Sequence, residues 1–346
     1  MLGHKLVGSH YSPYSRKMRA YLRYKRIPYE WLQLRHDKTS SVLNQPKVPI
    51  IPVMYFPEEK YSIGHVDSTP LIRLLEQKYF KRPVLPPSST PLSQFLNDVL
   101  EDYADEWVTK AMMHYRWSKE EDILKASHVL ACSLNPSQPQ HLAVLSAESF
   151  KKRQMGRLGS VIGSNALTAP FIENEYQNLL HNVDKILHSN AFVFGKYPSS
   201  SDFALYGQLS QLTSFDPTPS QLAAQHAPRV CAWVDQFEDL SGVEDSLDGD
   251  MCMGDWLATD HLLDSTPHRR LLTSIGNTYI PFLKANFAAH SQSEAQFSCE
   301  LGPDLLPWTQ NTFPYQAKCW AILKSTYQKL SADDRCTLST LGIDLT

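Results

Sequence analysis

No run of 18 apolar residues occurs anywhere in the 346-residue chain, so a membrane-spanning helix is not expected. The first ten residues lack the apolar core of a secretory signal. Cysteine is sparse: six residues, none before Cys132, and no two spaced as CxxC. That spacing supports neither a structural zinc site nor a disulfide framework, and no metal is expected. G-x-G-x-x-G, P-loop, G-x-S-x-G and H-E-x-x-H patterns are all missing. Lys151-Lys152-Arg153 is only a short charge run without interleaved aromatics, which argues against nucleic acid as a partner. These absences predict a cytoplasmic protein from a reducing compartment, with no membrane partner.

What is present is ordinary in sum and uneven in distribution. The chain is 42% hydrophobic and 20% charged, typical of a globular protein, and its length suggests two domains. Net charge is −3, but residues 1–86 hold 15 Lys and Arg against 6 Asp and Glu, and residues 87–346 hold 18 against 30. A basic front is joined to an acidic back. The front suits an anionic ligand, and attraction between the two parts explains the split equally well.

Lys5–Gly8 is short, apolar and β-prone. A helix follows from Pro13, capped by Ser12, and ends before Pro28. Tyr29–Leu34 alternates as a second strand, Val53–Phe56 reads as a third, and Tyr61–Ile63 as a short returning one. Asp67-Ser68-Thr69-Pro70 opens a helix. Residues 81–91 carry four prolines and read as a linker. Helical periodicity then covers 92–117, 142–164, 171–189, 201–213, 228–239, 267–290 and 314–330. Phe297–Leu301 stands out as an isolated strand, and Ser241–Asp255 as a loop.

This β-α-β-β-β-α unit followed by helices resembles the glutathione transferase superfamily. Four features carry the likeness. Ser12-Pro13-Tyr14-Ser15 sits where glutaredoxin-like relatives have Cys-Pro-Tyr-Cys. Ile51-Pro52, with Val48-Pro49 as the second candidate, lies at the place of the cis-proline. Asp67-Ser68 matches the acidic-Ser pair, and Pro198–Tyr206 matches the helix-opening capping box, with Ser199 and Asp202 three apart. The resemblance implies a thioredoxin-like domain over 1–82, a linker over 83–91 and an all-helical domain over 92–346. Within the last, 92–240 is transferase-like and 241–346 an extension beyond the family pattern.

It also implies chemistry. Glutathione would be the co-substrate and a hydrophobic electrophile the acceptor. Ser12 would stabilise the glutathione thiolate, with Tyr11 and Tyr14 as rivals. Ile51 and Pro52 would present backbone to the tripeptide, and Asp67 with Ser68 would hold its γ-glutamyl end. Serine at both cysteine positions disfavours thiol–disulfide exchange. The acceptor is expected against the first long helix after the linker, where Trp107, Met112, Met113, Tyr115 and Trp117 are dense and His114 is a polar handle; Tyr103 is a lesser candidate. Arg16, Lys17 and Arg19 read either as an attraction for an anionic peptide or as a solvated face. A homodimer follows from the resemblance. A non-catalytic binding protein and a glutathione-dependent isomerase or lyase remain alternatives.

Overall fold

The computed structural model describes residues 3–35, 43–87, 90–243 and 256–346. The expected loop at 241–255 falls mostly outside them. A four-stranded sheet is built from β1 (His4–Gly8), β2 (Tyr29–Gln33), β3 (Val53–Tyr55) and β4 (His65–Val66), in the order β2-β1-β3-β4. β1 runs parallel to β2 and antiparallel to β3, and β3 is antiparallel to β4. α1 (Pro13–Tyr24) makes the crossover between β1 and β2, and α2 (Ser68–Lys78) follows β4. The returning strand expected at 61–63 forms instead at 65–66. Lys60 and Tyr61 adopt φ of +52° and +58°, left-handed values that interrupt extended backbone.

Among the described residues from Pro91 onward, the regular structure is helical except for one hairpin. α3 (Pro91–Tyr103) and α4 (Thr109–Ser118) are halves of one long rod, joined through a wider π-helical turn at Ala104–Val108. After them come α5 (Glu120–Leu134), α6 (Gln140–Met155), α7 (Ala169–Ile186), α8 (Ser200–Leu212), α9 (Pro217–His226) and α10 (Pro228–Phe237). Then α11 (Thr259–Asp264), α12 (Thr266–Ser291), α13 (Pro314–Tyr327) and α14 (Ala332–Ser339) form the extension. α8 opens on the expected capping box: Ser199 Oγ accepts from Asp202 N–H and Asp202 Oδ2 accepts from Ser199 N–H.

Two close approaches fix the layout. α8 packs on α1 where Gly207 faces Pro13, and a Cβ on Gly207 would lie 2.6 Å from the Pro13 carbonyl oxygen. Phe297–Leu301 is not an isolated strand: β5 (Gln296–Leu301) pairs antiparallel with β6 (Leu306–Asn311). This hairpin docks through a vacancy in α12. Pro281 has no N–H to give the Asn277 carbonyl one turn back, and Gly302 N–H takes that oxygen at 2.9 Å. No helix among the described residues is long and apolar enough to cross a membrane.

Candidate functional site

A cleft of about 1930 Å³ lies between the sheet-bearing part and the helices. On one side it is lined by Tyr11, Ser12, Tyr14, Ile51, Pro52, Asp67 and Ser68. Ser12 is the N-cap of α1, and its Oγ accepts the Ser15 N–H at 3.3 Å. The hydroxyl hydrogen of Ser12 is thereby left to donate, next to the partial positive charge of the helix end. Ser15, the second serine of the motif, is fully buried and accepts from Ser9 N–H, which makes it structural.

The two tyrosines differ. Tyr14 donates its phenol to the Asp105 carbonyl at 2.9 Å, and burial pushes its ionisation well above the usual range. It ties α1 to the π-turn. Tyr11 packs on Phe215 with ring centroids 4.8 Å apart, and its carbonyl accepts from Arg116 Nη1.

The Ile51–Pro52 peptide is cis and leads directly into β3; Pro49 is not the cis residue. Asp67 precedes α2 with φ +76° and ψ 110°, outside the regions favoured by residues with a Cβ. Ser68 is the first residue of α2 and is buried at the cleft wall. Because a helix cannot satisfy its own first N–H groups, the start of α2 presents unpaired donors there. Two helix N-termini, α1 and α2, therefore open on the same cavity, an arrangement able to hold anionic groups at two separate points.

The opposite wall comes from α3, the π-turn and α4. Met112, Met113 and Trp117 line it, with Leu130 and Phe150 from α5 and α6. Trp107, His114 and Tyr115 do not line the cleft. Trp107 packs on Phe282 and Trp308, and Tyr115 on Tyr176. His114 is buried between Ser164 Oγ at 2.8 Å and Glu173 at 3.0 Å, and desolvation lowers its pKa despite that carboxylate. Tyr103 is likewise core, against Tyr279. The helical period placed all these aromatics on one rod, but the π-turn and the hairpin decide which face is covered. Phe282 of α12 and Trp308 of the hairpin together cover Trp107.

The basic residues of α1 are neither a solvated face nor free for a ligand. Lys17 is fully buried, with Nζ 2.7 Å from Glu101, 2.6 Å from Asp105 and 3.0 Å from Thr69 Oγ1. Arg16, Arg19 and Arg23 converge on Glu238, and Arg73 bridges Asp98 and Glu101. Burial alone would raise the Glu101 pKa, but Arg73 and Lys17 outweigh it and bring it down to about 2. The charge split of the sequence is in large part a clasp between the two parts.

Further along the same wall the carboxyls are not compensated. Desolvation, against a hydrogen bond from Tyr279, pushes Asp102 up to about 6. Desolvation and the neighbouring Asp102 and Asp105 push Glu106 up to about 8. Cys319 of α13 lines the cleft, but burial and the nearby Asp102 and Glu106 push its thiol far up, so it is not a ready nucleophile.

The sequence motifs missed Tyr315 and Lys318. Both are on α13 and line the cleft, with Tyr315 OH 2.9 Å from Asp67 Oδ2. In sequence 313–320 is aromatic-dense and reads as core packing, which Trp320 and Ala317 indeed provide, while the amphipathic helix over 314–330 reads as a cover for the acceptor pocket or for a dimer surface.

A small mixed sheet whose third strand enters through a cis-proline, with a capped helix and a helical partner closing a cleft, defines a thioredoxin-like ligand-binding fold with a helical second part. The chain belongs to the glutathione transferase superfamily: residues 6–83 match the sequence model of the glutathione S-transferase N-terminal domain and residues 163–247 that of the C-terminal domain. No curated protein sequence matches it. Among solved structures it is similar to a Tau class glutathione S-transferase from mango, Mangifera indica, at 17% identity over 68% of this chain and 88% of that one, with a TM-score of 0.41. It is also similar to a glutathione S-transferase from Methylobacterium radiotolerans, solved with glutathione sulfonate, at 18% identity over 68% and 90%, with a TM-score of 0.40. The beta-etherase LigF from Sphingobium sp. is 14% identical over 68% and 94%, with a TM-score of 0.48.

Proposed function

We propose that this protein is a glutathione-dependent transferase that joins the glutathione sulfur to a large apolar electrophile. One observation carries the proposal: a single cleft holds Ser12, the Ile51–Pro52 backbone and Asp67–Ser68 opposite an apolar wall of Met112, Met113 and Trp117. A free thiol ionises near pH 8.5, so the chemistry needs help at neutral pH. The α1 N-terminus and the Ser12 O–H favour the thiolate at that point. The Ile51 backbone pairs with the cysteinyl segment as an added strand, and Asp67 with Ser68 takes the γ-glutamyl end. The thiol proton leaves to solvent. The thiolate then attacks the electrophilic carbon, a carbon–sulfur bond forms, and the leaving group departs with its electron pair.

Tyr14 is not the activating hydroxyl in this scheme, since its phenol is committed to the Asp105 carbonyl. The acceptor lies against α4, α5 and α6. About 300–1,000 Å³ is usual for a small-molecule pocket, and a cleft well above that suits a tripeptide together with a bulky second substrate.

Titration calorimetry with glutathione, followed by conjugation assays with an aryl halide, tests the proposal. Binding with turnover is expected. Ser12→Ala should lower kcat/KM about 10²–10³-fold, the range seen on losing one donor to a developing anion, and shift the pH–rate profile to higher pH. An unchanged profile would remove Ser12 from the role and leave Tyr11 as the candidate. Binding without turnover for every acceptor would make the protein a glutathione-fold binder.

A further inference from the structure

α13 is outside both matched family segments, yet it reaches the head of α2. Tyr315 donates its phenol to Asp67 Oδ2 at 2.9 Å, and Lys318 Nζ stands 3.8 Å from the same oxygen. Three residues apart on a helix, the two side chains share one face. Ala317, Trp320 and Leu323 on the other side are buried in the core and fix the helix in place. Asp67 Oδ1 receives no donor among the described residues.

Two observations make α13 a wall of this site and not a stopper in it. Tyr315 and Lys318 line the same open cavity as Ser12, Ile51 and Ser68. Moreover, 3.8 Å is longer than a hydrogen bond, and the Lys318 side chain is 57% exposed, so its ammonium is near Asp67 without being spent on it. The clamp that the small domain builds alone is one carboxylate and a helix N-terminus. With Lys318 beside it the fixed charges balance, and the pattern becomes negative at Asp67 and positive at Ser68 N–H and Lys318. That pattern matches a zwitterion, with its ammonium and carboxylate on one carbon.

We infer that Tyr315 and Lys318 complete the γ-glutamyl clamp and make it selective for an intact α-amino-acid head group. The inference rests on the proposed glutathione site at Asp67 and Ser68. Asp67 Oδ1 takes the ammonium. The carboxylate is held between the first N–H of α2 and Lys318 Nζ. Tyr315 is a positioning residue: it holds the Asp67 carboxylate in place while the backbone of Asp67 keeps its unfavourable φ.

The test uses the full chain, calorimetry, and three ligands: glutathione, its analogue with the γ-glutamyl α-carboxylate amidated, and its analogue lacking the α-amino group. Lys318→Met should weaken glutathione about tenfold, a typical loss for one charge-assisted contact, and leave the amidated analogue as in the wild type. Lys318→Arg should recover most of the loss. Tyr315→Phe should weaken glutathione but not the analogue without the amino group. Because Lys318 is exposed, an unaltered thermal midpoint is expected for its variants. The inference is overturned if Lys318→Met binds glutathione as the wild type does, or weakens glutathione and the amidated analogue equally, which is a structural effect. Tighter binding in either variant would also overturn it, since α13 would then compete with the ligand. Wild-type protein that does not bind glutathione would overturn the clamp and this inference together, whereas binding with an insensitive Lys318 overturns the inference alone.

Discussion

The two ends of the chain meet at one cleft but are built differently. At the amino end each wall residue rests on a local device. Ser12 caps its own helix, Ile51–Pro52 leads into the adjacent strand, and Asp67 precedes the helix that Ser68 opens. At the carboxyl end, Tyr315 and Lys318 have no such device; their helix is placed by Trp320, Ala317 and Leu323 in the shared core. Local chemistry positions atoms at one end, and long-range packing does so at the other. The amino end is further clasped to the acidic helices by buried charge, and α13 meets those helices at Glu106, whose carboxyl burial and the neighbouring Asp102 and Asp105 push up to about 8.

Breaking the clasp should have the largest effect. Lys17→Met leaves Glu101 and Asp105 buried with less compensation, and loss of one partner from such a cluster costs about 3–5 kcal/mol. Urea unfolding measures it. A loss below about 1 kcal/mol, the scale of a surface pair, would mean that the Lys17 cluster adds little to the hold between the two parts.

The carboxyl-end contact should respond to pH instead. Glu106 accepts from Gln316 of α13, and burial raises its pKa from 4.5 to about 8. The folded state therefore holds a proton that the unfolded chain releases. Its contribution is complete below pH 4.5 and lost as pH rises toward 8. Asp102, raised to about 6, adds the same sign over a lower window. Glu106→Gln should flatten the fall in stability between pH 5 and 7 and gain about 1–2 kcal/mol at pH 7, consistent with a discounted shift of this size. Thermal midpoints across that range check it, and a variant with the wild-type slope would assign the titration elsewhere.

The smallest effect is expected where the carboxyl end does use a local device. Ser331 caps α14, its Oγ accepting from Asp334 N–H at 3.0 Å. Ser331→Ala should cost about 1 kcal/mol, as N-cap removal usually does, and leave glutathione affinity unchanged. A change in affinity would show that α14 communicates with the cleft.

The same contrast explains what could be read in advance. The strands β1 to β3, the helices α1 and α2, the Ser199–Asp202 box and the Ile51–Pro52 candidate were legible because each is signalled by neighbours in sequence. α5, α9, α11 and α14 carry no clear helical period; α9 starts on Pro217-Thr-Pro, which reads as a turn, α5 buries only a narrow apolar stripe, and α11 and α14 are short. Lys17 was legible as a cation but not as a buried one, since its partners Glu101 and Asp105 lie more than 80 residues away. Trp107 and Tyr115 read as pocket candidates in sequence because periodicity gives a face and not what covers it. Tyr315 and Lys318 were invisible for the same reason that makes them informative: nothing near them in sequence refers to Asp67.

That separation of 248 residues has a kinetic side. Closing so long a loop is entropically demanding, and non-local contacts tend to form late. The α1 cap and the turn at Asp67 can assemble within the first 80 residues, but the phenol that pins the Asp67 carboxylate arrives only with α13. On the inferred clamp, a ligand that needs Tyr315 and Lys318 binds only once α13 has docked beside Asp67, so that affinity reports on the last contact to form.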